Sequence, residues 1–252
     1  NVDDGAEVSS IKPGKYIESA IFSLDEKLVI IATVDNIQIY EITTNKAGEA
    51  IYFNPSDYRF NTATFSEDGS IVAIAYSPFN GAGSIGWVYF WDLNKKEQIG
   101  TTIEVSGFID NMAFSPDKTR FAATINNKII SWGLGTSEVI NILNGSTNRI
   151  STLSFSKDSK YIITGGCNQT GGGGFDGCSK GEIAWWDISK ATSGKAVGEP
   201  AYDNLYDRYF FNPDKKIFAL AKCSKYIPIP DYDTNKCNQY QVVIYNAETH
   251  AP

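Results

Sequence analysis

Histidine is almost absent from this sequence, which contains a single copy, His250, near its end. Catalytic triads of the serine-protease kind and zinc hydrolase sites both depend on histidine imidazoles. The sequence therefore excludes both kinds of active site. It also contains no Gly-x-x-x-x-Gly-Lys motif, and the glycine run at 171–174 lacks the lysine that a phosphate-binding loop requires. No cofactor is predicted.

Long apolar runs and an excess of positive charge are also missing. The longest apolar run, at 28–34, is far shorter than the roughly 20 residues that span a bilayer. The 22 basic residues are outnumbered by 29 acidic ones, which gives a formal net charge of -7. Such a charge repels phosphate backbones. We therefore expect a soluble protein that neither inserts into a membrane nor binds nucleic acid.

Cysteine is scarce, and its four copies fall as two local pairs, Cys167 with Cys178 and Cys223 with Cys237. Each pair encloses a loop rich in glycine, asparagine, aspartate or proline. This pattern favours two local disulfides and hence an extracellular or periplasmic location. Four cysteines permit three pairings, and four free thiols in a cytoplasmic protein are the alternative. No Cys-x-x-Cys pair is present, so no metal site is predicted.

What the sequence does contain is an internal repeat, which is the first feature to establish in a chain of this kind. Each copy of the repeat contains four consecutive residues of the same kind: an aromatic residue, a small polar residue, any residue and an acid. We call the aromatic residue the anchor. Turn-forming residues follow each anchor, so it is predicted to close one short strand and lead into a hairpin. The five copies begin at Phe22, Phe65, Phe114, Phe155 and Phe211.

Two β-rich runs follow each anchor, and the second run ends in a large aromatic residue. These terminal aromatics are Tyr40, Trp91, Trp132, Trp186 and Tyr245. The order of Phe-Ser-Pro-Asp-like turn, hydrophobic strand and Trp-Asp ending resembles the WD-repeat family. Only Trp91-Asp92 and Trp186-Asp187 keep that dipeptide, and the family's Gly-His pair is absent. The resemblance implies an all-β propeller of about five four-stranded blades, stacked because one blade cannot bury its faces alone.

The two ends of the sequence indicate how such a ring could close. Residues 5–11 match in position the fourth strands that precede other anchors, whereas 241–245 form a third strand with no fourth after it. We therefore expect one domain over residues 1–252, with residues 5–11 as the outer strand of the last blade. An excised part of a larger propeller is the alternative. The predicted blades cover approximately 15–54, 58–105, 108–144, 148–202 and 205–250.

Three repeats carry insertions between the second and third strands. The distance from anchor to terminal aromatic is 18 residues in the first and third repeats, but 26, 31 and 34 in the second, fourth and fifth. Because this connection lies on the same face of every blade, the insertions at 79–85, 168–177 and 226–235 are predicted to form one contact surface. Its candidate binding residues are Phe79, Asn80, Phe175, Asp176, Tyr226, Asp231, Tyr232 and Asp233.

The resulting functional prediction is a non-catalytic binding or scaffold propeller. It would present these loops, stapled by disulfides, to a protein partner or, second, to a glycan. A structural subunit of an extracellular assembly is one alternative. The other is a five-bladed glycosidase, because acids stand four residues before three anchors, at Glu18, Asp110 and Asp207. Two carboxylates at the right separation could cleave a glycosidic bond.

Overall fold

The computed structural model describes residues 10–12, 16–23, 26–33, 36–44, 46–51, 58–78, 85–136, 138–144, 149–170, 178–189, 201–203, 208–211, 217–228 and 235–246. This described part of the chain contains no helix, and its twenty strands pair as antiparallel sheets. The prediction of an all-β chain built from four-stranded units is confirmed. We call each sheet a blade. Within these same residues, no helix is long and apolar enough to cross a membrane.

Contacts divide the chain into two compact units, residues 1–109 and residues 110–252. The first unit contains blades 1 and 2. Blade 1 consists of β1 (Ile17–Phe22), β2 (Leu28–Thr33), β3 (Ile37–Glu41) and β4 (Lys46–Ile51). Blade 2 consists of β5 (Tyr58–Phe65), β6 (Ile71–Pro78), β7 (Ile85–Asp92), β8 (Glu97–Gln98) and β9 (Ile103–Ser106). In blade 2, β7 pairs with both β8 and β9, so the outer strand of this blade is interrupted.

The second unit contains blades 3, 4 and 5. The first strand of blade 3 begins at Ile109, the last residue of the first unit. Blade 3 consists of β10 (Ile109–Phe114), β11 (Arg120–Ile125), β12 (Lys128–Gly133) and β13 (Val139–Asn144). Blade 4 consists of β14 (Arg149–Phe155), β15 (Tyr161–Thr170), β16 (Cys178–Asp187) and β17 (Ala201–Asp203). Blade 5 has three described strands, β18 (Arg208–Phe211), β19 (Ile217–Pro228) and β20 (Asn235–Asn246).

The predicted closing strand, residues 5–11, lies outside the described residues except at its last two positions. Ring closure, the number of blades and the single domain therefore stay predictions.

The repeated Phe-Ser-x-Asp sequence forms the same hydrogen-bonded turn in blades 2, 3 and 4. The Ser66 hydroxyl donates to Asp68 Oδ1 at 2.8 Å and accepts from the Ile71 backbone N–H at 2.9 Å. The serines at 115 and 156 make the same two bonds. The residue after the aspartate has a positive φ, 69° at Gly69 and 59° at Ser159. The serine and aspartate of the repeat therefore form the hydrogen bonds of this turn, which accounts for their recurrence without a catalytic role.

Two anchor phenylalanines belong to the core between neighbouring blades. Phe65 of blade 2 belongs to a buried cluster with Ile30 and Ile39 of blade 1. Phe155 of blade 4 likewise packs with Ile129 and Leu143 of blade 3. Each of these anchors therefore packs on the blade that precedes it, which is how the sheets bury their apolar faces.

Candidate functional site

The first strand of each blade begins at the same end at which its second strand passes into its third. In blade 2, Tyr58 at the start of β5 pairs with Pro78 at the end of β6. In blade 4, Arg149 at the start of β14 pairs with Cys167 of β15. We call this the hairpin end of a blade. The anchor turns lie at the opposite end.

The hairpins that form this end differ greatly in length. In blade 3, β11 and β12 have six residues each and are joined by Asn126 and Asn127, whose φ angles of 49° and 64° suit a tight two-residue turn. The two central strands have ten residues each in blade 4 and twelve each in blade 5. Part of each insertion therefore extends the strands, and Tyr226, predicted in a loop, lies in β19 opposite Cys237.

Most of the predicted contact residues belong to the connections between these strands. Phe79, Asn80, Phe175, Asp176, Asp231, Tyr232 and Asp233 all lie outside the described residues. The strands on either side nevertheless assign the three connections to the hairpin ends of blades 2, 4 and 5. Their role as a contact surface stays a prediction.

The four cysteines occupy equivalent positions in the hairpins of blades 4 and 5. Cys167 pairs with Gly181 and Cys178 with Thr170, and one pair, Gln169 with Lys180, stands between them. Cys223 and Cys237 are likewise separated by one pair, Lys225 with Gln239. A register shift flanks that intervening pair on both sides in each hairpin. The repeat thus extends into the inserted residues, while the disulfides themselves stay a prediction.

A β-bulge marks the first strand of three blades at the residue four positions before the anchor. The register shifts at Glu18 in β1, at Asn61 in β5 and at Ser151 in β14. Asn61 Nδ2 donates to Ser77 Oγ at 2.6 Å, and the Ser151 hydroxyl donates to the Gly165 carbonyl at 3.1 Å. Bulges redirect side chains at functional rims. The sequence signal is a polar residue at one repeat position, where three copies are the acids of the glycosidase alternative.

Three exposed hydrophobic side chains that the sequence motifs do not single out lie at the hairpin ends of blades 1, 2 and 3. Tyr16 is 76% exposed and precedes β1, while Phe108 is 53% exposed and precedes β10. Ile85, 38% exposed, begins β7 and pairs with Ser106, two residues from Phe108. Tyr16 and Phe108 each stand six residues before an anchor, so the repeat alignment could have found them. Single exposed hydrophobic side chains are common on protein surfaces, so these three add no site by themselves.

The acids of the glycosidase alternative do not recur in every repeat. The position that carries Glu18 and Asp110 holds an amide in blade 2 and a hydroxyl in blade 4, and Asp207 lies outside the described residues. The pKa of the Asp117 and Asp158 carboxyl groups is lowered, and both residues lie in anchor turns. The described residues contain no group of three or more histidine, cysteine, aspartate or glutamate side chains that could hold a metal ion.

Comparisons with known proteins agree with this architecture. The family described as "WD domain, G-beta repeat" matches residues 137–170, which run from the outer strand of blade 3 to the second strand of blade 4. No curated protein sequence matches the chain. Among solved structures, Kuenenia stuttgartiensis hydrazine synthase is similar, with a TM-score of 0.67 and 15% sequence identity over 98% of this chain. This chain spans 66% of that one. The fold is shared, and the chain carries a WD repeat, as predicted from the anchor motif.

Proposed function

We propose that this chain is a non-catalytic interaction platform, which binds a partner protein at the hairpin ends of its blades. Proteins built on WD repeats generally act as scaffolds for other proteins, and the repeat at 137–170 supports that class of function. The observation that carries the proposal is the lengthening of the hairpins from six-residue strands in blade 3 to ten and twelve residues in blades 4 and 5. Long hairpins on a repetitive scaffold are the variable part that binds.

The proposed contacts combine aromatic anchors with a polar rim. Phe175, Tyr226 and Tyr232 would be buried against the partner, because aromatic side chains bring large contact area at low entropic cost. Asp176, Asp231 and Asp233 would select for polar or basic groups around them. Phe79 and Asn80 would add a contact from blade 2. A protein is the favoured partner, and a glycan is the second possibility.

The cysteines would stabilise the two longest hairpins as local disulfides, Cys167 with Cys178 and Cys223 with Cys237. Their equivalent positions in the two hairpins support a shared structural role. Fixing the glycine run at 171–174 would lower the entropy lost on binding. Intact mass before and after reduction, with mapping of alkylated cysteines, tests this pairing. Two local disulfides would support an extracellular or periplasmic protein, whereas four free thiols would contradict both claims.

The platform is tested by capture of partner proteins from the medium or lysate of the source cells. A variant with Phe175, Tyr226 and Tyr232 all changed to serine should lose the proteins that the unaltered chain captures. The matched control changes Glu67 and Lys157, exposed residues of the anchor turns at the opposite end, to serine. Equal capture by the unaltered chain, the hairpin variant and the control would contradict the proposal. It would favour a structural subunit that makes contacts through the sides of its blades.

A further inference from the structure

The outer strand of blade 3 has one edge that no described strand covers. In the blade order, β13 is terminal, and its described pairing is with β12 alone. One edge of β13 thus bonds to its own blade, and the other edge meets no strand in the described part of the chain. A free edge presents backbone N–H and C=O groups that another extended chain can match.

A bulge gives this strand an exposed apolar face. Trp132 pairs with Val139 and Ser131 with Asn141, so Ile140 is the extra residue. Because the bulge consumes one position, Val139 and Ile142 share a face, with 49% and 51% of their surface exposed. Asn141 on the other face is 2% exposed, and its neighbour Leu143 packs in the core with blade 4. The strand therefore offers both unpaired backbone and uncovered aliphatic side chains.

The strand also lacks the charges that protect edges elsewhere in the molecule. Its sequence, Val-Ile-Asn-Ile-Leu-Asn, contains no charged residue. Every other described outer strand contains at least one: Lys46 in β4, Glu97 in β8, Glu104 in β9 and Asp203 in β17. Charged residues on edge strands are a common means of preventing pairing with another chain. Because β13 has no charged residue, its edge lacks this protection against pairing with another chain.

We propose that β13 pairs antiparallel with β13 of a second copy of this chain, which joins two blades into one continuous sheet. A two-fold contact sets each residue near the axis against its own copy, so a charge there would meet the same charge. An uncharged aliphatic strand suits that arrangement, whereas an edge selecting a charged partner would carry the opposite charge. In the register that we propose, Ile142 lies at the axis, so that Asn141 faces Leu143 of the other copy. Two six-residue edges form a small interface, so the dimer is weak and depends on concentration.

Sedimentation velocity over a series of protein concentrations tests the dimer. The unaltered chain should shift from monomer to dimer as its concentration rises. Ile142→Lys should weaken dimerisation at least about tenfold, because two like charges would then face each other in place of an aliphatic contact. The control is Glu104→Lys, which adds the same side chain to the exposed outer strand of blade 2 and should leave the dimer unchanged. A monomer at every concentration, or a dimer indifferent to Ile142→Lys, would overturn the proposal.

Oxidative cross-linking tests the register and remains informative if the lysine variant folds poorly. Ile142→Cys should form a disulfide-linked dimer, because cysteines directly opposite each other across antiparallel strands are close enough to bond. Val139→Cys, on the same exposed face but away from the axis, should form far less. Both variants keep the four native cysteines, whose reactions therefore contribute equally. Equal cross-linking at the two positions would contradict the self-paired register.

Discussion

Asp117 shows how a repeated residue can be explained by a single turn. Burial raises the pKa of its carboxyl group, but hydrogen bonds from the Ser115 hydroxyl and from the backbone and hydroxyl of Thr119 outweigh burial and hold the pKa below its usual value. At Asp158, the hydrogen bond from the Ser156 hydroxyl is the main cause of a lowered pKa. The acid at these two copies of the repeat thus accepts the hydrogen bonds that hold the turn, and the sequence motif predicts a turn.

These two aspartates should make stability depend on pH. Their pKa is lower in the folded than in the unfolded protein, so their stabilising effect is complete above the unfolded value and disappears as pH falls through the folded value. We expect Asp117→Ala to lower the free energy of unfolding by about 1 kcal/mol near neutral pH. Urea denaturation should show this difference shrinking at acid pH. A difference that stays constant between neutral and strongly acid pH would contradict the role assigned to the carboxylate.

The anchor phenylalanines, which share a motif, should differ sharply in their contribution to stability. Phe155 is fully buried against blade 3, whereas Phe22 is 63% exposed. We expect Phe155→Ala to cost about 3–5 kcal/mol, as for other large core truncations, and Phe22→Ala to cost less than about 1 kcal/mol. Chemical denaturation of the two variants makes the comparison. A similar large loss at Phe22 would mean that this side chain is covered in solution.

At the scale of elements, polar contacts fix blade 3 on blade 4. Arg120, the first residue of β11, donates from Nη1 to the Ile188 carbonyl at 2.8 Å. Asn111 of β10 donates from Nδ2 to the Ile150 carbonyl at 3.3 Å. These bonds join strands of successive blades and accompany the aliphatic cluster between them.

Removing the arginine should loosen this contact between blades. We expect Arg120→Ala to cost about 1.5 kcal/mol, because a charge-assisted hydrogen bond is lost and a carbonyl is left without its partner. Arg120→Lys should retain part of the effect. Thermal denaturation measures both variants, with Lys128→Ala, an exposed position on β12, as the control. Arg120→Ala with the stability of the control would show that the bond contributes nothing.

At the scale of the whole molecule, charge limits the choice of partners. The formal net charge of -7 predicts that nucleic acid is not a partner, because acidic side chains repel phosphate groups. We expect no binding of labelled duplex or single-stranded DNA at physiological salt, measured by fluorescence anisotropy. Affinity tighter than the roughly 10⁻⁴–10⁻⁶ M of ordinary non-specific binding would contradict this prediction and require a basic surface on the folded protein.

Local sequence determined much of the fold because each blade is built from neighbouring segments. The two β-rich runs predicted after each anchor are found as strands, for example β11 after Phe114 and β3, which contains the terminal aromatic Tyr40. The same reasoning underestimated the hairpins of blades 4 and 5, where β15 continues to Thr170 and β19 to Pro228. The extension in blade 4 is polar and glycine-rich, whereas that in blade 5 contains no glycine, and both are held by backbone pairing across the hairpin. Side-chain alternation does not reveal such pairing.

The sequence by itself determined the repeat, its turns and the end of each blade at which the long hairpins lie. Only the tertiary structure decided which copies of a motif are buried and which are exposed, as with Phe155 and Phe22. It also decided that a bulge turns Val139 to the same exposed face as Ile142, where simple alternation would separate them. The physical reason is that turns and strands follow from local hydrogen bonding and periodicity. Exposure and register depend on the residues that pack against a strand, and these come from distant parts of the sequence.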